Sequence, residues 1–178
     1  MEPKTGELLK KLEGHSEGIR SLVFSSDGST LISGSRDDTI GIWDVATGEL
    51  QQTLDGHRDD IATVTLSPDG TTLASGDLNA VIHLWDVATG AIKETLIGHT
   101  SHVYHVRYSR DGSILASASE DDTIRLWDAT TGTHLKTLTG HTADVYRIAF
   151  TPDGSGITSG AWDASIRSWD LTLPQAPI

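Results

Sequence analysis

The chain has 178 residues, a formal charge of −12 from 25 acidic and 13 basic side chains, and no cysteine. A field of that sign repels polyanions, so neither nucleic acid nor an anionic membrane surface is an expected partner. The missing cysteines exclude disulfides, a thiol nucleophile and thiolate metal sites.

In chain order, the first segment is "MEPKTGELLKKLEG". It has no apolar core of a secretory signal, and no run elsewhere approaches the roughly 20 apolar residues that span a bilayer. The expectation is a soluble, cytoplasmic protein. Residues 5–15, "TGELLKKLEGH", return almost unchanged at 47–57 as "TGELQQTLDGH". The pair Gly-His occurs at 14–15, 56–57, 98–99 and 140–141, and Trp-Asp at 43–44, 85–86, 127–128 and 169–170, always 42 residues apart. Asp-Gly at 27, 69, 111 and 153 and a serine at 33, 75, 117 and 159 keep the same phase. The units are therefore repeat 1 (14–55), repeat 2 (56–97), repeat 3 (98–139) and repeat 4 (140–171), with a tail at 172–178.

Each unit carries four short strand-like runs. In repeat 3 they are "VYHVRYS" (103–109), "SILASAS" (113–119), "TIRLWD" (123–128) and "THLKTL" (133–138). In the third run Ile124 and Leu126 alternate with Arg125 and Trp127, a period of two. Asp-Gly between two runs is a hairpin signal, because glycine tolerates a positive φ. No window has a helical period. An all-β chain of four-stranded antiparallel units at this period reads as a β-propeller with four blades.

The order GH…DG…S…D…I…WD resembles the WD-repeat family of β-propellers across residues 5 to about 171. The resemblance implies a hydrogen-bonded tetrad per blade. The sets are His15, Ser33, Asp37, Trp43; His57, Ser75, Asn79, Trp85; His99, Ser117, Asp121, Trp127; and His141, Ser159, Asp163, Trp169. Asn79 stands where the other repeats have aspartate, so its blade is expected to be the weakest. The chemistry suits burial: indole N–H only donates, hydroxyl does both, and carboxylate accepts.

Ser, His and Asp together also suggest a hydrolase triad, but one set repeated four times behaves as structure, and no GxSxG elbow is present. His99, His102 and His105 are spaced by three, which on a strand sends neighbours to opposite faces, so no zinc site is expected. The Asp-Gly turns lack the oxygens of a calcium loop, and 153–160 lacks the strand–helix setting of a phosphate loop. No catalytic residue, cofactor or metal is expected.

In the resembled family, binding positions lie three and five residues after the Gly-His histidine and just before the tetrad aspartate. Here they include Arg20 and Arg36; Asp60; His102, Tyr104 and Glu120; and Asp144, Tyr146 and Trp162. Aromatics and arginine are the usual hot-spot types. The resulting expectation is a protein- or peptide-binding scaffold. Two alternatives are an engineered or recently amplified piece that only self-assembles, and an enzyme with substrate in the central channel. Repeat 4 ends in "LTLPQAPI" with no fourth strand, while residues 1–13 match one. An N-terminal strand that completes a last blade closes propellers of this family. If that blade belongs to a second copy, two chains form an eight-bladed homodimeric ring.

Overall fold

The computed structural model describes residues 6–172, and those residues contain fifteen strands and no helix. Blade 1 comprises β1 (Ile19–Phe24), β2 (Thr30–Ser35), β3 (Thr39–Asp44) and β4 (Leu50–Asp55). Blade 2 comprises β5 (Ile61–Leu66), β6 (Thr72–Asp77), β7 (Val81–Asp86) and β8 (Ile92–Ile97). Blade 3 comprises β9 (Val103–Tyr108), β10 (Ile114–Ser119), β11 (Ile124–Asp128) and β12 (His134–Leu138). Blade 4 has three strands among the described residues: β13 (Val145–Phe150), β14 (Gly156–Ala161) and β15 (Ile166–Asp170).

Every sheet is an antiparallel meander in which each strand pairs with its neighbour in sequence. The Asp-Gly turns carry φ of 72, 73, 76 and 75° at Gly28, Gly70, Gly112 and Gly154, where a side chain would be strained. The runs read from repeat 3 fall within one residue of β9 to β12. Their alternation misleads in one respect. Ile124, Leu126 and Trp127 are all buried, because a strand inside a propeller is covered by a neighbouring blade on each face.

Apolar cores fill the joints between blades. Between blades 1 and 2, Ile32, Ile40 and Leu54 pack on Ile61 and Val64, and the later joints repeat this with Ile82 against Val103 and Ile124 against Val145. A backbone hydrogen bond crosses each joint at one period. Val64 N–H donates to Ser21 Oγ (3.1 Å), Val106 N–H to Thr63 Oγ1 (3.3 Å) and Ile148 N–H to His105 Nδ1 (3.4 Å).

The two ends of the row lack this cover. Ile40, Ile82 and Ile124 are fully buried, whereas Ile166 at the same position of blade 4 is 83% exposed. At the other end Ile19 and Leu22 are 50% and 59% exposed, against 0% and 6% for Ile61 and Val64. A Cβ added at Gly34 or Gly76 would meet Ile61 or Val103 at 2.7 Å, but at Gly160 it would meet nothing.

Residues 6–13 form no strand in the single chain. They lie against the turn of blade 1, with Leu12 and Lys10 flanking Gly48 and Lys10 Nζ donating to the carbonyls of Val45 and Ala46. Gly90 is flanked in the same way by Gln52 and Leu54 of β4, and Gly132 by Glu94 and Leu96 of β8. Lys10 and Leu12 precede Gln52 and Leu54 by one period. The segment thus sits where the outer strand of a preceding blade would sit.

Candidate functional site

Each blade holds one hydrogen-bonded Trp-Ser-His-Asp set. In blade 3, Trp127 Nε1 donates to Ser117 Oγ at 2.8 Å, His99 Nε2 lies 2.7 Å from the same hydroxyl, and His99 Nδ1 lies 2.8 Å from Asp121 Oδ2. One proton arrangement satisfies all of them: indole to hydroxyl, hydroxyl to Nε2, and Nδ1–H to carboxylate. Blade 1 repeats it through Trp43, Ser33, His15 and Asp37 (2.7, 2.6 and 3.0 Å). Blade 4 does so through Trp169, Ser159, His141 and Asp163 (2.9, 2.8 and 2.7 Å). All four tetrad serines are buried and engaged by two partners.

Blade 2 requires a correction. Trp85, Ser75 and His57 are linked at 2.7 and 2.6 Å, but the carboxylate beside His57 Nδ1, at 2.8 Å, belongs to Asp77 and not to the Asn79 position. Asp77 ends β6, two residues earlier, where the other repeats have Ser35, Ser119 and Ala161. Its second oxygen accepts the N–H groups of Asn79 (3.0 Å) and Val81 (2.8 Å), holding the turn that Asp37, Asp121 and Asp163 hold elsewhere. Blade 2 therefore keeps a carboxyl acceptor, which removes the ground for expecting it to be weakened. His83 adds a second imidazole, 4.5 Å from His57 and 5.4 Å from Trp85 between ring centroids, and burial followed by the nearby His57 pushes its pKa down to about 4.

Burial pushes the carboxyls of Asp37 and Asp121 up. The hydrogen bonds they receive outweigh it, from Thr39, Ser16 and His15 in one case and from His99, Thr123 and Thr100 in the other. Ser165 and His141 likewise hold Asp163 well below the carboxylate range. A carboxyl depressed on folding stabilises the fold above its unfolded pKa, near 3.8, and loses that contribution as pH falls through the folded value. The urea midpoint is thus expected to hold between pH 7 and 5 and to fall steeply below pH 4. A midpoint equal at pH 7 and pH 3 would refute the assignment.

The positions named in repeats 3 and 4 gather on one rim. Tyr104 lies tilted against Tyr146 (4.7 Å between centroids, 33°), Tyr146 tilted against Trp162 (6.2 Å, 52°) and His102 edge-on against Tyr104 (5.9 Å). Trp162 is 72% exposed and Tyr146 is also exposed. His102 Nδ1 is 3.0 Å from Glu120. Asp144 anchors this rim by its backbone carbonyl, which accepts the Trp162 N–H at 3.0 Å. The Tyr104 phenol is pushed up by burial and then by Glu120 and Asp144, and Arg20 acts against them. Arg20, Arg36 and Asp60 form a separate knot, with Asp60 Oδ2 2.7 Å from Arg20 and 3.1 Å from Arg36. It crosses the joint between blades 1 and 2, so these two arginines are partly occupied by their own neighbour.

The profile of the WD domain, G-beta repeat, matches residues 6–44, 48–86, 90–128 and 132–170. Each match runs from an outer-strand segment to Trp-Asp, so residues 6–13 belong to the first repeat of the profile. Among curated proteins, ROOT INITIATION DEFECTIVE 3 of Arabidopsis thaliana is 50% identical over 44 residues, 25% of this chain and 10% of that protein. Periodic tryptophan protein 2 homolog of Schizosaccharomyces pombe is 52% identical over 42 residues, 24% of this chain and 5% of that protein. WD repeat and SOCS box-containing protein 1 of Homo sapiens is 50% identical over 42 residues, 23% of this chain and 10% of that protein. Each alignment is one blade long. With four profile matches across its length and the buried Trp-Ser-His-Asp network in every blade, the chain belongs to the WD-repeat family.

Proposed function

We propose that this chain is a non-enzymatic scaffold that captures a protein or peptide on the rim of Tyr104, Tyr146 and Trp162. The observation that carries the reading is the contiguous run of three aromatic rings ending on an exposed tryptophan. Ring faces attract both apolar and cationic side chains, and Glu120 and Asp144 beside them favour a cation. A peptide with an apolar anchor next to Lys or Arg fits this chemistry. Peptides selected on the chain from a displayed library are expected to lose more than tenfold in affinity when Tyr104, Tyr146 and Trp162 are all changed to Ala, with the melting temperature unchanged. Binding that survives the triple change would place the site elsewhere.

The bare ends of the blade row favour a second reading, self-assembly into a closed ring. Blade 4 exposes the Ile166 face and, among the described residues, pairs β15 on one edge only, while blade 1 exposes Ile19 and Leu22 with an extended segment ahead of it. A second copy offers each end the surface that the interior joints already use. In the resulting eight-bladed homodimer, residues 6–13 of each chain pair with β15 of the other and bury both edges. The rim adjoins the end face, since Tyr146 and Trp162 line one surface with Gly160 and Ile166, so ring closure would bring blade 1 of the second copy beside the aromatic rings.

An enzyme with substrate in the channel is disfavoured. The Ser-His-Asp sets are saturated by their tryptophans and recur in all four blades.

A further inference from the structure

The inner strands β1, β5, β9 and β13 line a concave wall, and its charge opposes that of the chain. A cavity of about 300 Å³ on that wall is lined by Arg20, Arg107, Arg147 and His105 together with Ser21, Thr63 and Thr65. No carboxylate lines it, in a chain with 25 acidic residues. Three of the eight arginines face one small space. Arg20 is engaged by Asp60. Arg107 and Arg147 form no salt bridge or hydrogen bond among the described residues, so their guanidinium donors are uncommitted.

The remaining polar groups are also set to donate. His105 Nδ1 accepts the Ile148 N–H, which leaves Nε2 as the protonated nitrogen of the neutral ring. Burial, then Arg147 and Arg107, lowers the His105 pKa to about 4, so that neutral form prevails at pH 7. Thr63 Oγ1 accepts from Val106 and Ser21 Oγ from Val64, so each hydroxyl hydrogen remains free. Such a wall of donors matches the needs of an oxyanion.

We infer that this wall is a binding site for a small polyanion carrying phosphate or carboxylate groups, held by forked hydrogen bonds from Arg107 and Arg147 and by His105 Nε2–H. The volume lies at the lower end of ligand sites, which suits a molecule of that size and not a folded partner. The acidic surface does not forbid it, since exposed charges beyond about 8 Å are screened at physiological salt.

The test is calorimetric titration of the full chain at low salt with pyrophosphate in one arm and citrate in the other. Heat of binding in either arm supports the site, and the stronger arm names the oxyanion. Arg107→Ala and Arg147→Ala are each expected to weaken binding about tenfold. Arg147→Lys should recover only part of the loss, because the fork is gone while the charge remains. Arg110→Ala, which lies outside this cavity, should leave binding unchanged. The Tyr104, Tyr146, Trp162 triple alanine variant should also leave it unchanged, which separates this site from the rim. No binding in either arm, or binding indifferent to Arg107 and Arg147, would overturn the inference. Circular dichroism on each variant checks that the fold is intact.

Discussion

Light scattering coupled to size exclusion is expected to return about twice the 19.0 kDa chain mass for this protein, and the single-chain mass for Leu22→Asp, Ile166→Asp. The reason lies in the repeat. Ile166 and Leu22 occupy positions that are fully or almost fully buried in every interior joint, and each such side chain contributes about 1.5–3 kcal/mol when covered. A carboxylate at either place would have to lose its water without a partner, which a joint built of Ile, Val and Leu cannot offer. Gly160 meets nothing where Gly34 and Gly76 hold Ile61 and Val103, which leaves room there for Ile19 of a second copy in the proposed ring. Removing residues 1–13 should also yield single chains, because the strand offered to β15 is then lost. A native chain that elutes as a compact single copy, or a double variant that still pairs, would end the ring proposal.

Asp77→Ala is expected to cost about 3 kcal/mol in chemical unfolding, and Asn79→Ala less than about 0.5 kcal/mol. The first change strips the acceptor from the buried His57 Nδ1 and from two half-buried turn N–H groups. The second removes a side chain that makes no hydrogen bond among the described residues; only the backbone N–H of Asn79 is used. Comparable losses for the two variants, or a larger one at Asn79, would return the tetrad to its column position.

That reversal shows where reading the sequence stops. The blade count, the strand positions and the three tetrads of blades 1, 3 and 4 were legible because they follow one period. Asp77 breaks it. The aspartate moves two residues upstream onto the last residue of β6, and its carboxylate still meets His57 Nδ1. The sequence signal was present in "SGDLNA", whose acidic residue stands where the other repeats have Ser or Ala, but column counting passes over it. The double burial of the third strands was also hidden. Alternation predicts one dry face, whereas stacked blades cover two. The arginine wall escaped for a different reason: Arg107 and Arg147 sit in different columns and repeats, and only the convergence of the inner strands makes them neighbours.

The meander within every sheet has a consequence for how motion is distributed along the chain. Each strand pairs with its neighbour in sequence, and each blade leans only on the blades before and after it. Such an array behaves as a one-dimensional row of coupled units, in which opening propagates from an end. Blades 2 and 3 have a neighbour on both faces. In a single chain blade 4 has one neighbour and three described strands, so its amides are expected to open at lower free energy than those of β6 or β10 until a second copy covers that end. The aromatic rim straddles this gradient, with Tyr104 on blade 3 and Tyr146 and Trp162 on blade 4. A ligand spanning the three rings would tie the loosest unit of the row to one of its firmest, and part of its binding free energy would be spent on ordering that end.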